Sequence, residues 1–389
     1  MKLGLYLVRE SQTSGGAFVV RDDLVQAALR AGGRHHVELL NQTASSGNGH
    51  VSRPPSQVRL LAAKALRSVG RVSKAREHAR AQKLKQEAAA KGIEVLWFNH
   101  AAPVDIGLPY ILSVFDVQHR LQPWFPEVSA GGLWDRREAI WVPALRRASI
   151  VTVPSEPAKQ DIHFLFDIPM DRIRVLPFPT PASMLQATKA APGGSDIRAK
   201  YGIAKDFVFY PAQFWPHKNH VNLLHALHIL TAQRRVDMDL VLTGSDHGNL
   251  DHIRKTAHDL GLSSRVHFLG FVPREDLLQL YRDAYALVFV SFFGPENLPP
   301  LEAQALGCPV VLADIPGVKA LFGDGPVLVD PRDPVTIADG IERVAGNPER
   351  RQQALRDGQA MARANTPGKY IEGIYEILDD FERVRRCWP

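Results

Sequence analysis

The feature that most constrains this chain is an alternation that runs almost its whole length: short apolar stretches, each followed by a helical pattern. In the first half the stretches are KLGLYLV, HHVELLN, EVLWFNH, YILSVFD, SIVTVPS and IRVLPF, with helices predicted near 17–32, 56–91, 134–148 and 156–166. After PTPASMLQATKAAPGGSD, residues 179–196, the series restarts with DFVFYPA, DLVLTGS, VHFLGFV, ALVFVSFF, CPVVLAD and PVLVD. Runs that are apolar throughout, rather than at every second position, belong to strands covered on both faces, and strands that alternate with helices form parallel sheets. The Pro, Gly, Ser and Ala of 179–196 show no long periodicity and read as a linker.

At 389 residues the chain exceeds the roughly 250–300 at which a single core stops growing, so two domains are expected. The fold class is α/β, with two Rossmann-like domains facing each other across a cleft. The first covers residues 1–178 and the second 197–367, and a final helix over 368–389 is long enough to cross back to the first domain. Hydrophobic residues at 45% and charged residues at 23% exclude disorder as the main state. Two cysteines, Cys308 and Cys387, exclude a disulfide framework and suit a reducing cytosol. The N-terminal apolar run is too short for a signal peptide, and no run approaches the roughly 18 residues of a spanning helix. The expectation is a cytoplasmic protein, with any membrane contact peripheral at the inner face.

Charge is concentrated. Residues 52–91 carry eleven Lys or Arg against Glu77 and Glu87, a local +9 within a net charge of +6. Val58, Leu61, Ala65, Val69 and Val72 follow helical spacing there, with Arg67, Arg71 and Lys74 on the opposite face. Residues 56–80 thus fit two roles: a helix packed on its own domain with a solvated basic face, or a contact with anionic lipid or a phosphorylated acceptor. Nucleic acid is excluded as the partner by the lack of interleaved aromatics and of any binding motif.

Chemistry-bearing residues cluster where strands of the second half give way to helices, the edge at which open α/β sheets bind ligands. YPAQFWPHKNH places Lys218 at a helix start, where an ammonium and local amides can hold a diphosphate. VLTGSDHGN offers Gly244 for close backbone approach, and LGFVPRED places Gly270, Phe271 and Val272 where backbone groups can read a base edge. SFFGPENLPPLEAQAL carries Glu296 and Glu302 around Pro299 and Pro300; a carboxylate one turn into that helix can accept two hydrogen bonds from a ribose diol. In the first half Gly15 and Gly16 follow the first strand, and Asp116 and His119 end another. DMD, residues 237–239, matches a metal-binding D-x-D but lies at the wrong end of its sheet and reads as a solvated turn.

The order of YPAQFWPHKNH, VLTGS, VHFLGFVPREDLLQLYRDA and FGPENLPPLEAQALGCPVV resembles the donor half of family-4 retaining glycosyltransferases (group 1 glycosyltransferases) with the GT-B fold. The resemblance covers nearly all of 200–350 and is looser in the first half. It implies transfer of a sugar from a nucleotide donor with retention of configuration, no metal and no cofactor besides the donor substrate. Carried over residue by residue, Lys218 matches the diphosphate-binding lysine, while the arginine five positions before it is Gln213 here. Glu302 matches the second glutamate of the family's E-x7-E pair, and the position of the first is Gly294. Glu296, two residues later, is a candidate replacement that can equally point to solvent. Asn297 and Leu298 occupy positions whose amides approach the diphosphate and sugar. The family often places a histidine directly before Asp116; that position is Phe115, and His119 is the candidate substitute.

The resemblance makes catalysis electrostatic. The acceptor hydroxyl attacks from the leaving phosphate's side, and Lys218 with nearby amides stabilises the departing diphosphate. Mannose from GDP-mannose is favoured because mannosyl transfer is common in such enzymes, with UDP- and dTDP-sugars as alternatives. A glycan or lipid-linked acceptor in cell-surface polysaccharide synthesis would suit the basic helix. A GT-B nucleotide-sugar epimerase and a non-catalytic sugar-nucleotide binder are the other readings.

Overall fold

The structure, a computed structural model, describes residues 1–7, 16–41, 62–99, 102–188, 196–294, 297–345 and 348–388, with backbone alone for 16–18, 62–76, 345 and 348–351. All twelve apolar runs supply strands: β1 (Lys2–Tyr6), β2 (His36–Leu40), β3 (Val95–Asn99), β4 (Tyr110–Ser113), β5 (Ile150–Val153), β6 (Ile173–Val175), β7 (Phe207–Pro211), β8 (Asp239–Thr243), β9 (Val266–Gly270), β10 (Ala286–Phe289), β11 (Val310–Ala313) and β12 (Val327–Val329). They form two six-stranded sheets ordered β2-β1-β3-β4-β5-β6 and β12-β11-β10-β7-β8-β9, and every pair is parallel.

Burial explains the unbroken apolar runs. Val95 to Phe98 in β3 and Phe207 to Tyr210 in β7 are almost wholly inaccessible, as strands covered by helices on both faces must be. In each sheet the strand order reverses once, between β1 and β3 in the first and between β7 and β10 in the second. There the crossover helices leave toward opposite faces and open a crevice at the carboxyl ends of the strands.

The helix Pro367–Arg385 is capped by the Thr366 hydroxyl, which accepts from the Lys369 N–H, and begins with proline at a position where no N–H is needed. It buries Tyr370, Ile371, Ile374 and Leu378 and lies against the helix Gly16–Arg30. Tyr370 stacks on Trp97 at 6.2 Å between ring centres, and Asp379 bonds to the buried His35 at 2.8 Å. Each such fully buried apolar side chain contributes about 1.5–3 kcal/mol before chain entropy is subtracted. The last helix is therefore part of the first domain's core.

The helix predicted over 56–91 is seen over Ala62–Lys91. Residues 56–61, and the side chains of Arg67, Arg71 and Lys74, lie outside the described residues. Among the described residues, no helix is long and apolar enough to cross a membrane.

Gly244, at the end of β8, is required by packing. Its φ is +147°, and a Cβ there would lie 2.3 Å from the Ala212 carbonyl oxygen. Gly244→Ala should accordingly destabilise the protein by about 2 kcal/mol or more in urea unfolding, the cost of a strained backbone plus a steric clash. Gly32→Ala, with no neighbour within 4 Å, is the control and should stay within about 0.5 kcal/mol of wild type.

Candidate functional site

The β7/β10 crevice gathers the strongest of the sequence candidates. After β7 the chain makes a tight turn over Pro216–Lys218, and Asn219 then adopts a left-handed conformation (φ 60°) before the helix His220–His228. That conformation suits asparagine, and the Asn219 amide fixes the turn by donating to the carbonyls of Val290 at 2.9 Å and Pro331 at 2.6 Å. The turn is thereby tied to the ends of β10 and β12. It delivers Lys218, half-buried, across the crevice, where its ammonium donates to the Asn297 Oδ1 at 2.6 Å and lies 5.3 Å from the centre of the Phe289 ring. Burial lowers the Lys218 pKa to about 8, opposed by the nearby carboxylates of Asp116 and Glu127.

Both carboxylates come from the other domain. Glu127, on the short helix Pro126–Ser129, accepts with one oxygen from the His217 backbone N–H at 3.0 Å and from the His217 Nδ1 at 2.5 Å. Its side chain is nearly inaccessible and its second oxygen is buried. Burial raises the Glu127 carboxyl, but the hydrogen bonds from His217 outweigh it and leave the group below its usual range. Burial pushes the His217 imidazole down, so a neutral ring faces a carboxylate. Two further contacts span the domains: Gln122 donates to the Phe292 carbonyl at 2.9 Å, and Phe125 stacks on Phe292 at 6.0 Å.

The turn after β10 is built around its departure from the E-x7-E pattern. Gly294 has φ +85°, and a Cβ there would lie 2.8 Å from the Asn297 amide nitrogen. That amide donates to the carbonyls of Phe293, at 3.2 Å, and Gly294, so the Asn297 side chain fills the space a residue 294 side chain would need. The helix Leu298–Leu306 follows. Pro299 and Pro300 carry no N–H, which leaves Leu298 and Leu301 as the donors of its first four residues. Glu302 is buried, accepts from the Tyr281 hydroxyl at 2.5 Å, and is held above the usual carboxylate range by burial. One of its oxygens is thus committed within the protein, a partner 21 residues away that the local motif did not reveal.

The remaining candidates divide. Gln213 accepts from the Trp215 indole at 3.0 Å, and Trp215 stacks on His247 at 3.9 Å beside Gly244. Farther along the same sheet edge Phe271 is 75% exposed, while Val272 is buried. Gly16 begins the helix after β1. Gly15 and Glu296 lie outside the described residues. His119 does not reach the cleft. β4 ends at Ser113, the Asp116 carboxylate accepts from the Gln118 N–H at 3.1 Å, and the helical turn Gln118–Leu121 swings the imidazole inward to Glu138 at 2.9 Å with no exposure. Asp116, paired with Arg137 at 3.0 Å, faces the crevice in its stead. In the DMD turn Asp237 pairs with Lys205 and Arg265 at the amino end of β8, away from the crevice.

Two facing Rossmann-like sheets with a basic group at the second sheet's switch point define the GT-B class of glycosyltransferase folds. The second half carries a group 1 glycosyltransferase domain, since residues 195–361 match the family model described as Glycosyl transferases group 1. The chain is 28% identical over 221 residues to O-antigen chain mannosyltransferase B of Escherichia coli, covering 57% of this chain and 58% of that protein. It is 32% identical over 201 residues to D-inositol 3-phosphate glycosyltransferase of Frankia alni, covering 49% of this chain and 48% of that protein. The chain thus spans less than two thirds of the length of these relatives. Among solved structures, Anabaena Alr3699/HepE in complex with UDP and glucose superposes with a TM-score of 0.67 over 98% of this chain and 100% of that one, at 19% identity.

The lowered pKa of the Lys218 ammonium would give any diphosphate bound beside it a pH dependence with a defined sign. A diphosphate attracts the protonated form, so nucleotide-sugar affinity should be flat below about pH 8 and fall above it, toward tenfold per pH unit. Calorimetry from pH 6 to 9.5 checks this. An affinity that stays flat to pH 9.5 would detach Lys218 from the diphosphate.

Proposed function

We propose that this protein is a retaining, metal-independent hexosyltransferase that moves a sugar, mannose favoured, from a nucleotide-sugar donor to a glycan or lipid-linked acceptor. The observation that carries the reading is the half-buried Lys218 ammonium, aimed across the switch point of a group 1 glycosyltransferase domain at the turn that precedes Leu298. A preformed cation in a closed crevice stabilises charge that grows on a leaving diphosphate without reorganising when the bond breaks.

In this reading the donor lies along the carboxyl edge of β7 to β10. The base sits near Phe271 and Val272, and the ribose hydroxyls bond to the Glu302 oxygen that Tyr281 leaves free. The diphosphate sits on Lys218 and the Leu298 N–H, and the sugar lies over Gly294. Because Pro299 and Pro300 withdraw two amides and Gln213 replaces a cation, Lys218 carries a larger share of the phosphate charge. The acceptor hydroxyl enters on the leaving-group side and passes its proton to the departing phosphate oxygen. Glu127, gripping His217 from the other domain, holds the cleft closed beside Lys218 and limits water that would hydrolyse the donor. GDP-mannose is the favoured donor, supported by the mannosyltransferase among the relatives, with UDP- and dTDP-sugars as alternatives.

A nucleotide-sugar panel tests the reading. Acceptor-dependent nucleotide release with retention at the anomeric carbon is expected, persisting in excess EDTA. Inversion at C2 without transfer would replace the reading by an epimerase, and saturable binding without turnover by a binder. Activity lost to EDTA and restored by Mg²⁺ would overturn metal independence.

A further inference from the structure

A cavity of about 660 Å³ lies where the segments that link the two domains meet, within the ~300–1,000 Å³ range of sites that enclose small ligands. Four elements wall it: the helix Gly16–Arg30 of the first domain, the linker helix Ala182–Ala187, the start of the helix Arg274–Asp283 in the second domain, and the first turns of the helix Pro367–Arg385. Asp23 fixes the junction, since its carboxylate accepts from the Ala182 N–H at 2.8 Å. Lys218, Gly294, Asn297 and Glu302 are not among its described lining residues, so this hinge cavity is distinct from the donor crevice.

Its polar lining is largely unengaged. Arg30 from the first domain and Arg274 from the second both face it, and among the described residues neither guanidinium has a hydrogen-bond or ion-pair partner. The side chains of Gln26, Gln186 and Glu372, from three of the four elements, are likewise without one among the described residues. Tyr375, the one aromatic among the described lining residues, packs edge-on against His35 at 5.4 Å and donates its hydroxyl to the Ala31 carbonyl at 3.5 Å, which leaves no free ring for a nucleobase. Guanidinium forks take phosphate oxygens, while hydroxyls donate to a carboxylate and accept from amide N–H groups. Asp23 and Glu372 share the lining with the two arginines, so a bare anion gains little from net charge and a ligand's hydroxyls must contribute.

We infer that the hinge cavity binds a small phosphorylated polyol of the sugar phosphate class, and that its occupancy weakens nucleotide binding at the donor edge. Arg274 links the two places. Its charge acts on Asp23 in the cavity wall and also on Glu302, where it favours the ionised carboxylate against burial. A phosphate drawn to Arg274 offsets that field and leaves the Glu302 oxygen a poorer acceptor for ribose hydroxyls. The site itself needs no transferase reading. The coupling rests on the ribose role given to Glu302, and linkage makes it reciprocal.

The test is calorimetry on the full chain with the anomeric and the primary-hydroxyl phosphates of mannose, glucose and galactose, beside the free hexoses and inorganic phosphate. At least one hexose phosphate should bind, with its free hexose and inorganic phosphate each about tenfold weaker or more. Arg30→Gln, at an exposed position, should weaken that probe about tenfold while the melting temperature and the nucleoside diphosphate Kd stay as in wild type. Lys218→Ala should do the reverse, weakening the nucleoside diphosphate and sparing the probe. Rising probe concentration should weaken the diphosphate about fivefold or more and then level off, as coupling does and competition does not, and Arg274→Gln should abolish the effect. No hexose phosphate bound at millimolar concentration, equal binding of inorganic phosphate, full probe affinity in Arg30→Gln, or probe affinity lost in Lys218→Ala would overturn the site. A diphosphate affinity unmoved or raised by the probe would overturn the coupling. If no nucleotide binds the wild type, the transferase reading and the coupling fail together, and the site still stands or falls on Arg30.

Discussion

The hydrogen bond from Lys218 to Asn297 joins the two strand ends on which the site depends. Lys218 follows β7 and Asn297 follows β10, strands 79 residues apart in the bond they make but adjacent in the sheet. An ammonium drawn out of water needs an acceptor, and the Asn297 side chain provides one while holding the Gly294 turn with its amide. Asn219 anchors the Lys218 turn to β10 and β12, so the cation's position follows from the sheet's order rather than from the flexibility of its own side chain. The same bond leaves the ammonium ready for exchange, because an anion in the crevice offers a stronger charge-assisted acceptor than a neutral amide.

The other domain bears on that cation through charge. Asp116 and Glu127 both favour the protonated form of Lys218 against burial, and Glu127 also binds His217, the residue next to it. Carboxylates of the first domain therefore set the electrostatics around Lys218 as well as lining the crevice beside it. The pair has a direction in pH as well. Glu127 lies below its usual range and the buried His217 is pushed down, so in the unfolded chain both groups bind protons more readily. Their contribution is present near neutral pH and is lost as pH falls through the His217 and then the Glu127 range.

Much of this was legible in the sequence because strands buried on both faces leave unbroken apolar runs, and all twelve runs became strands. Lys218 stands out in the sequence as a cation at a strand-to-helix junction, and Gly294 as the position where the resemblance implies a glutamate. What stayed hidden depended on partners distant in the chain. Asp116 caps its own turn and sends His119 into the core to meet Glu138, which no local spacing discloses. Tyr281 takes one oxygen of Glu302 from the neighbouring helix. The Ala212 backbone passes so close to Gly244 that packing by itself requires glycine there, which the local sequence does not disclose. Glu127 carried no motif at all; its role as an interdomain clasp appears only when Pro126–Ser129 is set against His217.

The central claim is that Lys218 is the cation for a nucleotide diphosphate, and one comparison tests it most directly. Calorimetry at pH 7 should measure the affinity of the best-binding nucleoside diphosphate and of its parent nucleoside for wild type and Lys218→Ala. Loss of one charge-assisted hydrogen bond should weaken the diphosphate by about 1.5–3 kcal/mol and leave the nucleoside unchanged. An equal diphosphate affinity in the two proteins, or an equal loss for diphosphate and nucleoside, would contradict the account.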